Sequence, residues 1–330
     1  MITDKLFGCF SYISVTFAKI LFYQKLKIYH NIFDFSTQKK TVVTLGTFDG
    51  VHLGHKKILE KLKPDTQTET LVLTFFPHPR MVLQQGDFKL INTLEEKAQL
   101  LAETGLKNLI IHPFSQEFSE MMAEDFVKNV LVDTFNLKKI IIGYDHRFGK
   151  KRAADINDLI LFGKKYNFEV EQIEAQEIND VSISSTKIRK ALEEGNIELA
   201  NQYLGYDFFF TGIVVEGKKM GRTINFPTAN ISLTEDYKLI PANGVYIVKS
   251  EVNGKILQGM MNIGTNPTVG GNHQTIEVHF LNFNEDIYGK KLQVSVMKKI
   301  RNEEKFASVD ALKLQLEQDQ VTTENYFKIQ

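Results

Sequence analysis

The chain has 330 residues, enough at roughly 100–200 residues per domain for two domains with separate cores. Lys+Arg and Asp+Glu balance at 40 each, so no global positive field favours a nucleic acid or an anionic membrane as partner. A composition 43% hydrophobic and 24% charged excludes wholesale disorder, and the single cysteine, Cys9, excludes an internal disulfide or a multi-cysteine metal cage and suits a reducing cytoplasm.

The run Leu6–Ala18 is apolar, but Lys19 interrupts it. It has no small-x-small cleavage site and falls short of the roughly 18–20 apolar residues that span a bilayer. Residues 1–25 therefore read as a non-native or disordered extension. From Thr41, TVVTLG is a β-branched run closed by Gly46, and HKKILEKLK has helical spacing at Ile58, Leu59 and Leu62. Further strands are predicted at Thr70–Phe76, Leu109–Phe114, Lys139–Asp145 and Phe168–Ile173. Helices at Thr93–Glu103, Ala123–Thr134 and Ile156–Tyr166 alternate with them, as in a wound parallel α/β sheet. Beyond about Gly205 the pattern becomes strand-like at 208–216, 244–252, 254–264, 274–283 and 291–300, with turn signals at Asn243-Gly244 and Asn253-Gly254. A helix at Val309–Glu317 follows, so this half reads as a mainly antiparallel β-barrel or sandwich closed by a C-terminal helix. The boundary falls near Tyr203–Asp207.

The segment Gly46-Thr47-Phe48-Asp49-Gly50-Val51-His52-Leu53-Gly54-His55 follows the first clear strand and opens a helix. Glycines there admit close backbone approach, and a helix N-terminus offers unpaired N–H groups to an anion. His52 and His55, three apart, can both turn toward one phosphate, although lone histidines are more often packing residues. In ISSTKIR, one of Ser184, Ser185 and Thr186 caps the following helix, and Arg189 shares a face with Thr186. TFFPHPR (Thr74–Arg80) and GYDHRFGKKR (Gly143–Arg152) each follow a predicted strand and are either phosphate- and ligand-facing loops or solvated ones. In TIEVHFLNF, Glu277 and His279 alternate with apolar neighbours and share one strand face; spacing alone makes Glu277 a surface glutamate, and PTAN (Pro227–Asn230) alone reads as a turn.

GTFDGVHLGH, TFFPHPR, GYDHRFGKKR and ISSTKIR, in this order, closely resemble the adenylyltransferase module of the bacterial bifunctional riboflavin kinase/FAD synthetase family. The glycines and arginine of Gly212–Arg222, Phe226–Asn230, Gly244–Tyr246, Asn262–Thr268, Ile276–His279, Tyr288–Lys290 and Arg301 resemble its kinase module. The resemblance runs from about Leu26 to the C-terminus. It implies a Rossmann-like nucleotidyltransferase domain over 26–204 and a riboflavin kinase barrel over 205–330. It further implies phosphorylation of riboflavin to FMN and adenylylation of FMN to FAD, with Mg²⁺ accompanying ATP as co-substrate. The partners implied are ATP, riboflavin, FMN and FAD, in a cytoplasmic monomer or weak homo-oligomer that binds neither nucleic acid nor membrane. A kinase with an impaired adenylyltransferase half, or a flavin-nucleotide sensor without turnover, stays open as an alternative.

By the same resemblance Glu277 is the base of the kinase step, Thr228 and Asn230 hold the metal, and Gly212, Gly217, Gly221 and Arg222 form the nucleotide loop. His52, His55 and Arg189 face the ATP phosphates of the adenylyl step, supported by Gly46, Phe48, Asp49, Gly54, Ser184, Ser185 and Thr186, with Arg147 or Arg152 meeting a phosphate. Phe76, Pro77, His78, Arg80 and Arg301 are expected at the flavin. Two departures stand out: Asn225 and Ala154 occupy positions where the family tends to have Gly. Leu26-Lys27-Ile28-Tyr29 resembles the family's usual start, so initiation at a non-AUG codon for Leu26 is expected.

Overall fold

The β-branched runs of the first half pair into a fully parallel sheet, as their alternation with amphipathic helices requires. The computed structural model describes residues 26–63, 66–84, 86–144, 146–173, 183–217, 220–268 and 271–329. The expected extension at 1–25 and Asp145 lie outside the described residues. Strands β1 (Lys27–Tyr29), β2 (Lys40–Leu45), β3 (Thr68–Phe76), β4 (Asn108–Pro113), β5 (Leu137–Gly143) and β6 (Glu169–Ile173) lie in the order β1-β4-β3-β2-β5-β6. The direction of strand addition reverses between β2 and β5, and ligands of such sheets bind beyond the strand carboxyl ends at that switch. Helices α1 (Leu53–Lys61), α2 (Pro79–Leu83), α3 (Leu94–Glu103) and α4 (Ile156–Tyr166) belong to the same unit. Period-two alternation sends Val43 and Leu45 of β2 into a core with Leu71, Leu73, Ile110 and Ile140, and turns Thr44 to the opposite face.

The helix predicted at Ala123–Thr134 is present but widens to a π-helix over Phe126–Thr134. Phe135 N donates to Val130 O at 3.0 Å, and Lys128 Nζ meets Asp133 at 2.5 Å across the same five-residue spacing. Apolar periodicity over so short a span does not separate the two helix types.

The second compact unit gathers the described residues from 184 onward together with 89–93. Strands β7 (Phe209–Val215), β8 (Ala229–Leu233), β9 (Gly244–Val252), β10 (Lys255–Thr268), β11 (Gly271–Phe280) and β12 (Lys291–Arg301) close into an antiparallel barrel in the order β10-β11-β8-β7-β12-β9. Strand β8 goes beyond the elements predicted from sequence, because it is only five residues long and follows closely on Pro227. Helices α5 (Ser185–Glu193) and α6 (Ile197–Leu204) fall with the barrel. The 89–93 strap is bonded into the unit by Leu90 N to Tyr237 O and Leu239 N to Leu90 O, both 2.7 Å. Buried Lys238 donates to Ile91 O at 2.6 Å and Phe209 O at 2.7 Å.

Helix α7 spans Val309–Ile329, longer than the predicted Val309–Glu317. Its polar second half is held by tertiary contacts that periodicity does not show. Asp319, 1% exposed, accepts from Arg301 Nε at 3.0 Å and Nη2 at 2.8 Å, and Thr323 Oγ1 returns a hydrogen bond to Asp319 O at 2.8 Å. Arg301, expected at the flavin, is thus directed to Asp319, with Nη1 on Asn302 O at 3.1 Å. Removing one partner of a buried bidentate pair strands the other charge. Asp319→Ala should cost about 3–5 kcal/mol and lower the melting temperature of this unit by about 10 °C, read by calorimetry.

Candidate active sites

In the first unit the carboxyl end of β2 passes into a tight loop. Phe48 and Val51 both adopt left-handed backbone, at φ 46° and 37°, flanking Gly50 at 88°. For a β-branched valine this is strained, and burial of Phe48 (2% exposed) and Val51 (0%) holds it in place. The loop delivers His52 as the N-cap of α1, its Nδ1 accepting from His55 N at 3.4 Å, which leaves the ring proton on Nε2. The two imidazoles stack at 3.7 Å, with Phe48 against His55 at 4.9 Å. His55 Nδ1 is buried without a hydrogen-bond partner. Asp49 and Gly54 are buried in the same turn, and a side chain at Gly46 would press on the Phe48 ring at 3.3 Å.

Burial lowers His52 from 6.5 to about 4, and burial together with the neighbouring charges of His52 and Lys97 puts His55 well below its ordinary value. Both rings are therefore neutral N–H donors near pH 7. The unfolded chain binds a proton at His52 that the folded chain refuses between pH 6.5 and about 4. This contribution to stability is complete above pH 6.5 and is lost as pH falls toward 4, by roughly 3 kcal/mol. Melting temperature followed from pH 7 to 4.5 should fall, and fall less in His52→Gln.

At the end of β3, Phe76 is half-buried, Pro77 is exposed, and His78 is buried with Nδ1 accepting from Arg80 N at 3.1 Å. Phe88, which the sequence did not single out, receives the His78 ring at 4.8 Å and the Arg80 guanidinium at 5.5 Å. Arg147 and Arg152 are exposed beyond β5, Arg152 at φ 56°. Ala154 needs no glycine: it is outside the left-handed region, and its methyl is buried in the core. The missed residue of most consequence is Lys97, at an apolar-stripe position of α3 between Leu94 and Leu101, which donates to Thr47 O at 2.8 Å. A lysine standing where the stripe calls for an apolar residue was the available signal.

The ISSTKIR segment belongs to the second unit. Ser184 is the cap of α5, accepting from Lys187 N at 3.3 Å, which leaves Ser185 and Thr186 in the first turn without the capping role. Arg189 is buried, with Nε on Lys89 O at 3.2 Å and Nη1 on Ser185 O at 3.5 Å.

In the barrel, the neighbouring strands β8 and β11 put Asn230 opposite Glu277, and Thr228 Oγ1 donates to Glu277 Oε2 at 3.0 Å. His279, on the same face as Glu277, bonds Pro227 O through Nδ1 at 2.8 Å and packs on Phe226, so it anchors the approach to Thr228. Burial lowers the His279 pKa, and the Pro227 bond partly opposes this. A cavity of about 540 Å³ is lined by Val214, Arg222, Thr228, Val278, Phe283 and Tyr288 among others. Arg222 donates to the Tyr288 hydroxyl at 3.1 Å on its rim. Of the glycines expected in the nucleotide loop, Gly212 instead lies inside β7 and Gly221 in a short helix at Met220–Thr223, because both are places of close approach: a Cβ at Gly217 would lie 2.1 Å from Asn230 Nδ2, one at Gly221 2.1 Å from Phe226 O, and one at Gly212 2.7 Å from Ser232 O. Asn225 takes φ 65°, so it supplies the left-handed residue that a glycine would otherwise provide. Among the described residues no group of three His, Cys, Asp or Glu could hold a metal unaided. The Thr228 hydroxyl and Asn230 carboxamide are neutral hard oxygens, which fit a divalent cation that takes its other ligands from polyphosphate and water.

A strained phosphate-type loop at the switch of a parallel sheet, and a barrel joining a carboxylate to neutral oxygen ligands beside a cavity, define a two-module enzyme of phosphoryl and nucleotidyl transfer. The FAD synthetase family model matches residues 34–187 and the riboflavin kinase family model residues 204–327. The bifunctional riboflavin kinase/FMN adenylyltransferase of Listeria monocytogenes is 40% identical over 88% of this chain and 94% of its own. Its namesake in Escherichia coli K12 is 39% identical over 90% of this chain and 96% of its own. The chain belongs to the bifunctional riboflavin kinase/FMN adenylyltransferase family, with both catalytic domains present. A crystal structure described as a macrolide-efflux protein from Streptococcus pneumoniae also matches, with TM-score 0.83 and 34% identity over 91% of this chain and 99% of that one. No helix among the described residues is long and apolar enough to cross a membrane.

Proposed function

We propose that the barrel makes FMN with Glu277 as base and that the Gly46–His55 loop directs adenylylation of FMN. The Thr228–Glu277 hydrogen bond beside the cavity carries this reading. The terminal ribityl hydroxyl of riboflavin loses its proton to Glu277 as its oxygen attacks the γ-phosphorus of ATP, releasing ADP. Because Thr228 is the donor in its bond to Glu277, the hydroxyl lone pairs stay available to a cation, and Glu277 keeps its second oxygen for the proton. Families of this kind use a divalent metal with ATP; Mg²⁺ held by Thr228 and Asn230 would supply charge neutralisation at the phosphates.

In the second reaction the ionised phosphate of FMN attacks the α-phosphorus of a further ATP, forming FAD and releasing pyrophosphate. No protein base is needed, so the chain contributes orientation and charge. His52 and His55 donate N–H groups at the α1 N-terminus, and the role of Arg189 with Ser184, Ser185 and Thr186 rests on the ISSTKIR motif. Phe76, Pro77, His78 and Arg80 are assigned to the flavin end, and Arg147 or Arg152 to a phosphate. Functional modules over 26–204 and 205–330, a cytoplasmic setting, a monomer or weak homo-oligomer and the absence of a nucleic-acid partner complete the proposal. The balanced charge and the single cysteine support the last of these and the cytoplasmic setting. Incubation with riboflavin, ATP and Mg²⁺ followed by chromatography of the flavins should show FMN first and FAD with pyrophosphate after it, and neither with EDTA. A product stream without FMN defeats the kinase assignment, and FMN without FAD defeats the other.

A further inference from the structure

A buried lysine needs an electrostatic reason to be inside. Lys97 is 2% exposed, and its Nζ reaches 2.8 Å from the carbonyl of Thr47, the residue just before strained Phe48. Thr74 Oγ1 donates to the same carbonyl at 3.1 Å, so α3 and β3 converge on one atom of the loop. Asp49, two residues further along, is fully buried and attracts the Lys97 ammonium.

We propose that Lys97 is a positioning residue of the adenylyl-transfer step, pinning the Thr47–Phe48 turn from beneath and placing a fixed positive charge under the ATP phosphates. The inference rests on the Gly46–His55 loop being the phosphate site. The left-handed backbone at Phe48 and Val51 must be held by its surroundings, and a charge-assisted bond to Thr47 O does so at the start of the strained stretch. His52 and His55, being neutral near pH 7, bring N–H donors but no charge, and Lys97 brings the charge. Burial lowers the Lys97 pKa while Asp49 opposes that by favouring the ammonium.

The test compares Lys97→Met, Lys97→Gln and Lys97→Arg in the full chain, with melting curves to establish folding. Lys97→Met should lower kcat/KM for FMN adenylylation about 100-fold, divided between a higher KM for ATP and a lower kcat, with riboflavin phosphorylation within about twofold of wild type. Arginine, which keeps the charge, should restore at least about tenfold over methionine, with glutamine, which keeps only a donor, between them. Adenylylation by Lys97→Met within about threefold of wild type, absence of that order, or parallel loss of both activities overturns the proposal. If Lys97→Met does not fold, the arginine and glutamine variants carry the same comparison. His55→Ala separates the two layers. Wild-type FAD synthesis by His55→Ala would remove the loop reading itself, whereas an inactive His55→Ala beside an active Lys97→Met would remove only the role given to Lys97.

Discussion

Glu277→Ala is expected to lower the rate of FMN formation by about 10³-fold while FMN is still converted to FAD at the wild-type rate. The ribityl hydroxyl is a poor nucleophile until its proton has an acceptor, and Glu277 is the carboxylate that the barrel brings to Thr228 and opposite Asn230. The substitution also frees the Thr228 hydroxyl, so Glu277→Gln is the sharper comparison: it can still accept from Thr228 through its carbonyl but is no base. A loss in the glutamine variant comparable to that in alanine places the effect in proton acceptance; recovery in glutamine would place it in loop geometry instead. The assay is initial-rate flavin chromatography from riboflavin and, separately, from FMN.

The second large effect is the mirror image. His55→Ala should reduce FAD formation by about 10²–10³-fold and leave riboflavin phosphorylation intact. His55 is packed between Phe48 and His52 with a buried, unpartnered Nδ1, so its removal takes away a donor and also the ring that braces the strained turn. Because the attacking phosphate of FMN is already ionised, the loss should be nearly constant from pH 6.5 to 8, unlike that of a base whose titration the reaction requires.

Much of this was legible in the chain because local chemistry sets it. The β-branched run at Thr41–Leu45 closing on Gly46 announced the central strand and loop. Alternation along TIEVHF put Glu277 and His279 on one face, as β11 shows. What stayed hidden depends on contacts distant in sequence. Lys97 interrupts the apolar stripe of α3, but its partner shows only once α3 is packed against a loop some fifty residues earlier. Nothing in KKIRNEEK reveals that Arg301 pairs with Asp319, and the same pair explains why α7 continues past Glu317. The 89–93 strap joins the barrel unit from within the sequence of the sheet unit, an arrangement that no composition shift marks.

The central claim is that two separable sites act in succession, FMN formed at Glu277 becoming the substrate at the His52–His55 loop. It is tested most directly by supplying riboflavin, ATP and Mg²⁺ to Glu277→Ala alone, His55→Ala alone, and an equimolar mixture of the two. The first should leave riboflavin unchanged, the second should stop at FMN, and the mixture should yield FAD. Loss of both activities in either single variant, or a mixture that accumulates FMN without FAD, would contradict it.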